Sequence, residues 1–128
     1  MSSDNHLLFF VNFVRIKKNN KMRKIEHIGI AVKSLEVSNV LFEKLFGQPP
    51  YKEEEVTSEG VKTSFFMNGP NKIELLEATN PDSPIAKFLE KKGEGIHHIA
   101  FDVNDINEEV IRLKNEGFVI LNEIPKKG

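Results

Sequence analysis

One pattern of apolar and polar positions occurs twice in this chain at a constant offset of 71 residues. Its copies are Ile25-Glu26-His27-Ile28-Gly29-Ile30-Ala31-Val32 and Ile96-His97-His98-Ile99-Ala100-Phe101-Asp102-Val103. Side chains alternate between the faces of a strand. Alternation places Ile25, His27, Gly29 and Ala31 on one face, and Ile96, His98, Ala100 and Asp102 on its counterpart. The opposite faces carry Ile28, Ile30 and Val32 in the first copy and Ile99, Phe101 and Val103 in the second, bulky surfaces that call for a covering helix. Each copy leads through a polar turn into an amphipathic helical pattern. A match at a fixed period predicts a duplicated unit, and two copies predict a paired-module domain and not a solenoid.

Taken in order, the first strand runs from Lys24 to about Val32. Ser34 can cap a helix over Leu35–Phe46, with Val37, Val40, Leu41 and Leu45 forming its apolar stripe, and Gly47 with Pro49-Pro50 stops it. Strands are expected over Tyr51–Val56, where Glu53-Glu54-Glu55 read as solvated surface, over Val61–Asn68, and, after the turn Asn68-Gly69-Pro70-Asn71, over Lys72–Glu77. The first unit, about residues 24–77, is thus β-α-β-β-β. In the connector, residues 78–94, Ser83-Pro84 open a short helix with Ile85, Phe88 and Leu89 as its apolar face, and Lys91-Lys92 suit its C-terminus. The second unit, residues 95–128, has a strand over Gly95–Val103 and a helix over Ile106–Glu116. Asp105 and Glu108 form a capping-box pattern there, and Ile106, Val110 and Leu113 face the core. A further strand is predicted over Phe118–Ile124. The second unit is then one hairpin short of the first, so that either another chain completes it or the sequence is a fragment, the reading adopted. The fold class is α+β, with paired modules forming a curved, cup-like mixed sheet.

Composition narrows the function classes. The chain has 128 residues, enough for one domain with a real core. Charged residues make up 29% with a formal net charge of -1, which leaves no electrostatic footprint for nucleic acid. With no Cys, disulfide frameworks, thiolate metal sites and Cys nucleophiles are excluded together. No apolar run approaches the roughly 20 residues of a membrane helix. Residues 1–21 read apart from the rest: an apolar run over Leu7–Val14 is followed by Arg15, Lys17, Lys18 and Lys21. This order does not fit a secretory signal, whose charge precedes the apolar run. The segment is either an extension upstream of a start at Met22 or an ordered extra strand. A cytoplasmic location is expected, or the mitochondrial matrix if the extension is a transit peptide.

The chemistry-bearing residues lie on the repeated strands. Pseudo-symmetry brings His27 and His98 together across a shared concavity, where Gly29 and Ala100 leave room for a ligand. The alternative is that both imidazoles are merely hydrogen-bonded in half-buried strands. His97 points to the other face and is read as structural. Two imidazoles seldom suffice for a divalent ion, and a carboxylate commonly joins them. Glu74 is the natural third donor, in the middle of its strand with Lys72 and Leu76 on its own face. An exposed edge-strand Glu is the other reading. Repeat logic puts the counterpart of Glu74 beyond Gly128. Thr57, Ser58, Ser64 and Ser83 lack a nucleophile context, and there is no glycine-rich phosphate loop.

The strand-borne His residues, the β-α-β-β-β duplication, and Asp82-Ser83-Pro84-Ile85-Ala86-Lys87-Phe88-Leu89 followed by Gly95-Ile96-His97-His98-Ile99-Ala100-Phe101 resemble the methylmalonyl-CoA epimerases. These belong to the glyoxalase-type, or vicinal oxygen chelate, superfamily. The resemblance covers about Met22 to Gly128. It implies a divalent metal (Co²⁺ foremost, with Mn²⁺, Ni²⁺ or Zn²⁺ as substitutes) held by His27, Glu74 and His98, an acyl-CoA substrate, and a homodimer. It also implies a fourth ligand, a Glu in a final strand beyond Gly128. Thr63 stands where some members place a catalytic Glu, so no acid/base residue is assigned. A glyoxalase-like lyase or isomerase and a non-catalytic binding module of the same fold are the competing readings.

Overall fold

The computed structural model describes residues 6–10 and 22–121, with side-chain surroundings from Lys24 onward. In chain order the elements are β1 (His6–Phe10), β2 (Met22–Ala31), α1 (Leu35–Phe46), β3 (Lys52–Val56), a 3-10 turn (Thr57–Glu59), β4 (Val61–Asn68), β5 (Asn71–Ala78), α2 (Pro84–Lys92), β6 (Gly95–Val103) and α3 (Ile106–Asn115). The strands form one mixed sheet in the order β1-β6-β2-β5-β4-β3. β2 and β5 run parallel, and the other neighbours are antiparallel. The two copies of the repeat, β2 and β6, lie side by side at the centre, as pseudo-symmetry requires.

Local chemistry sets the helix ends. The Ser34 hydroxyl accepts from the Val37 amide at 3.2 Å, and Gly47 closes α1 at a φ of 76°, where a side chain would be strained. Asp105 accepts from the amides of Asn107 and Glu108 at the start of α3. At α2 the buried Ser83 hydroxyl accepts from the Ala86 amide at 3.1 Å, ahead of Pro84 in the first turn. Ser83→Ala is expected to cost about 1 kcal/mol through loss of this cap, measured by urea denaturation.

Each face of the sheet is packed by a different helix. α1 covers Ile28, Ile30, Val32, Phe66, Ile73 and Leu75 with Leu35, Phe42 and Phe46. α2 covers one end of the opposite face, packing Ile85, Phe88 and Leu89 against Ala31, Val61 and Leu76. The apolar alternation of β2 is therefore used on both sides, and the half of the second face that α2 leaves uncovered carries His27, Glu74 and His98.

Three expectations need correction. The stripe Val37, Val40, Leu41 and Leu45 is 53–68% exposed, because α1 carries two apolar faces and seats the one with Phe42 and Phe46, whose rings pack on Phe66. No strand forms over Phe118–Leu121: residues 118–120 have no regular structure, Leu121 is a bend, and residues 122–124 lie outside the described residues. Val119 and Leu121 are 81% and 80% exposed, and the strand that follows α1 in the first unit, β3, forms by pairing with β4, for which the second unit has no counterpart among the described residues. Finally, α3 ends at Asn115, one residue earlier than predicted. Within residues 1–21, residues 6–10 form β1 beside β6, and the rest lies outside the described residues.

Candidate metal centre

Strand register assembles the site. β2 and β5 align Gly29 with Glu74 and His27 with Lys72, while β2 and β6 align Gly29 with His98. Glu74 and His98 thus flank Gly29 from its two neighbouring strands, with His27 two residues away on the same face. The Nε2 atoms of His27 and His98 are 3.1 Å apart, and Oε1 of Glu74 lies 3.5 Å from the first and 3.4 Å from the second. The imidazoles meet edge to face at 5.1 Å. Among the described residues this is the one group of three or more such donors whose ligand atoms converge, all within 4.8 Å of one another.

These spacings fit a single divalent ion. Donors about 2.1 Å from one centre stand roughly 3.0 Å apart at right angles and roughly 3.4 Å apart at tetrahedral angles. Two neutral Nε2 lone pairs facing each other at this range repel unless a cation or a proton lies between them. The donor set of two imidazoles and one carboxylate also suits borderline divalent ions.

Gly29 makes the approach possible. A Cβ at this position would lie 2.3 Å from Cε1 of His98, so the space above Gly29 is filled by the His98 ring and not left for a ligand, as the strand pattern suggested. Ala100, fully buried, likewise offers no opening.

The face assignments change at two points. Ile25 pairs with Phe101 but His27 with Ala100, leaving Glu26 as an extra residue. Gly29 pairs with His98 but Ile30 with Ile96, leaving His97 as an extra residue. Such β-bulges re-aim side chains. Ile25 and Ile96 therefore leave the histidine face, and Glu26 and His97 join it. Glu26, only 3% exposed, meets Nδ1 of His27 through Oε1 at 2.5 Å and Lys72 Nζ through Oε2 at 2.8 Å. His97 places Nδ1 3.0 Å from Nδ1 of His98 and stands edge-on to Phe88 of α2 at 5.0 Å. Burial first, then the neighbouring His98, pushes the His97 imidazole down to about 4, against a smaller opposing pull from Glu74. So His97 does not point away from the site, as simple alternation implied.

Two further positions bear on the site. Thr63 is buried on the Glu74 side of β4, and its hydroxyl donates to the Glu54 carbonyl at 3.4 Å. β1 takes the place beside β6 that β5 takes beside β2, but it runs antiparallel where β5 runs parallel. No helix among the described residues is long and apolar enough to cross a membrane.

Known proteins resemble this chain in sequence and in fold. An uncharacterised protein of Bacillus subtilis, YqjC, is 37% identical over 107 residues, covering 84% of this chain and 76% of that protein. The mitochondrial methylmalonyl-CoA epimerase of Bos taurus is 35% identical over 106 residues, covering 82% of this chain, which spans 61% of the bovine enzyme's length. Among solved structures, a variant of Streptomyces coelicolor methylmalonyl-CoA epimerase in complex with 2-nitronate-propionyl-CoA aligns with a TM-score of 0.75 at 31% identity, over 84% of this chain and 78% of that one. The glyoxalase-like fold expected from the duplication is therefore the fold observed. A sequence profile of one superfamily matches residues 26–128, from the first bulge through both repeats, and the chain belongs to that family, the Glyoxalase/Bleomycin resistance protein/Dioxygenase superfamily.

Proposed function

We propose that this chain provides the metal platform of a methylmalonyl-CoA epimerase, interconverting the (2R) and (2S) forms of the acyl-CoA through an enolate. The observation that carries this reading is the convergence of His27, Glu74 and His98 on three adjoining strands, in a chain whose relatives include enzymes named for that activity.

Epimerisation removes a weakly acidic α-proton from the thioester and returns one to the opposite face. A divalent ion held by His27, Glu74 and His98, Co²⁺ foremost, would supply the positive charge that stabilises negative charge developing on the substrate oxygens. The two imidazoles present neutral nitrogen donors and Glu74 an anionic oxygen. His98 is buried and His27 and Glu74 are partly buried, where charge interactions act more strongly than in bulk water. α2 and the sheet wall one side of the site and limit access of water from that direction. Thr63, engaged with the Glu54 carbonyl, serves as a neutral donor and not as a base.

The test is solvent deuterium incorporation at C2 of methylmalonyl-CoA in the presence of Co²⁺. Exchange is expected with the native chain and not with His98→Ala. Exchange that survives the loss of His98 removes the proposed site. Turnover of a glutathione hemithioacetal in place of the acyl-CoA moves the assignment to a glyoxalase-like isomerase. His27-dependent metal binding without either activity leaves a binding module.

A further inference from the structure

We infer that Glu26 and His97 are a matched pair of positioning residues, delivered by two repeat-equivalent β-bulges, that aim the Nε2 atoms of His27 and His98 at a common point. The inference rests on the metal-platform reading above and concerns how this chain builds that platform.

Glu26 precedes His27 and His97 precedes His98, and the two are separated by the same 71 residues that relate the repeats. Both are the extra residue of a register shift between β2 and β6. Bulges at equivalent positions of a duplicated unit, each one residue before a candidate ligand, point to a shared task.

The contacts define the task. Each bulge residue meets the Nδ1 atom of the following histidine, Glu26 at 2.5 Å and His97 at 3.0 Å. Each leaves Nε2 facing the other imidazole and Glu74. An acceptor at Nδ1 holds the proton there and frees the Nε2 lone pair for a cation. On β2 the acceptor is a buried carboxylate, itself anchored by Lys72. On β6 it is the Nδ1 lone pair of His97, a ring braced by Phe88.

Without the bulges, alternation would send residues 26 and 97 to the face packed by α1, among Ile28 and Ile30. A carboxylate or imidazole there would be buried among apolar side chains without hydrogen-bond partners, which is unfavourable. The extra residue in each strand avoids that burial and supplies the histidine's second contact.

Two readouts test the pair. In the metal-free protein, ¹⁵N-resolved NMR should show His27 as the Nδ1–H tautomer, which Glu26→Ala abolishes and Glu26→Gln retains through its amide oxygen. By calorimetry, Co²⁺ affinity should fall roughly 10–100-fold in His97→Phe, which keeps an aromatic ring against Phe88 but has no acceptor. His97→Gln, with an acceptor restored, should recover most of it. Circular dichroism confirms that the variants are folded, and Glu26→Gln and His97→Gln serve as the conservative pair. An Nε2–H tautomer at His27 in the native protein overturns the role of Glu26. Native Co²⁺ affinity in His97→Phe overturns that of His97. If the native protein binds no Co²⁺, the metal-platform reading and the His97 half fall together, and the His27 tautomer still decides the role of Glu26.

Discussion

Gly29→Ala is expected to abolish the metal centre while leaving the fold in place. The added Cβ would lie 2.3 Å from Cε1, 2.6 Å from Nε2 and 2.7 Å from Nδ1 of His98, closer than nonbonded carbon contacts allow. Gly29 is not among the glycines with positive φ, so alanine introduces no backbone strain. Relief must come from the His98 ring, which can rotate away only by leaving Glu74 and His27. Co²⁺ affinity should drop at least as far as the roughly 10–100-fold expected when a ligand loses its orienting contacts. Calorimetric titration with Co²⁺, beside a circular dichroism spectrum matching the native one, checks this. Native affinity in Gly29→Ala would mean that His98 is not held over this position and takes no part in a shared site.

Phe66→Ala is expected to produce the largest loss of stability. Phe66 is 1% exposed and joins β4 to α1 through rings 6.1 Å from Phe42 and 5.8 Å from Phe46. Truncating a buried Phe costs about 3–5 kcal/mol, from lost transfer energy and the cavity left behind. For a domain of this size, that corresponds to a fall on the order of 10–20 °C in Tm. Leu41→Ala is the control. Leu41 lies on the outer face of α1 at 62% exposure, so its truncation should stay within about 0.5 kcal/mol. A larger cost for Leu41 than for Phe66 in thermal denaturation would show that α1 packs by its other face.

The case of α1 shows how far patterning reaches. Its span, its Ser34 cap and its Gly47 stop are all legible in the chain, because they depend on residues a few positions apart. The face it buries is not legible. Val37, Val40, Leu41 and Leu45 make an apolar stripe at helical spacing as good as that of Leu35, Phe42 and Phe46, and local sequence carries no information about which one meets Phe66. The missing strand after Phe118 is a similar case. Its composition suits a strand, yet a strand exists only where a neighbour pairs with it: β3, which follows α1, pairs with β4, and among the described residues nothing pairs with the segment after α3.

The site divides in the same way. The 71-residue repeat by itself determined that His27 and His98 are equivalent and central, since a duplicated unit folds into equivalent positions wherever it occurs. Alternation along β5 made Glu74 a candidate donor beside its reading as an exposed edge-strand residue, and the pairing of β5 with both β2 and β4 removes the edge position. Alternation failed at Glu26 and His97, where a polar residue falls on a face that is otherwise apolar. That break in the pattern, at the same repeat position twice, was the available signal of a bulge. Whether a strand absorbs an extra residue is settled by pairing with its neighbour, so only tertiary structure could decide it. The sequence by itself thus determined the repeated strand-and-helix units and their order, and it singled out His27, Glu74 and His98 as candidate donors. The tertiary structure decided which helix face is buried, which strand lies beside β6, and which residues meet the Nδ1 atoms of the two imidazoles, because each of these depends on how segments far apart in the chain pair and pack.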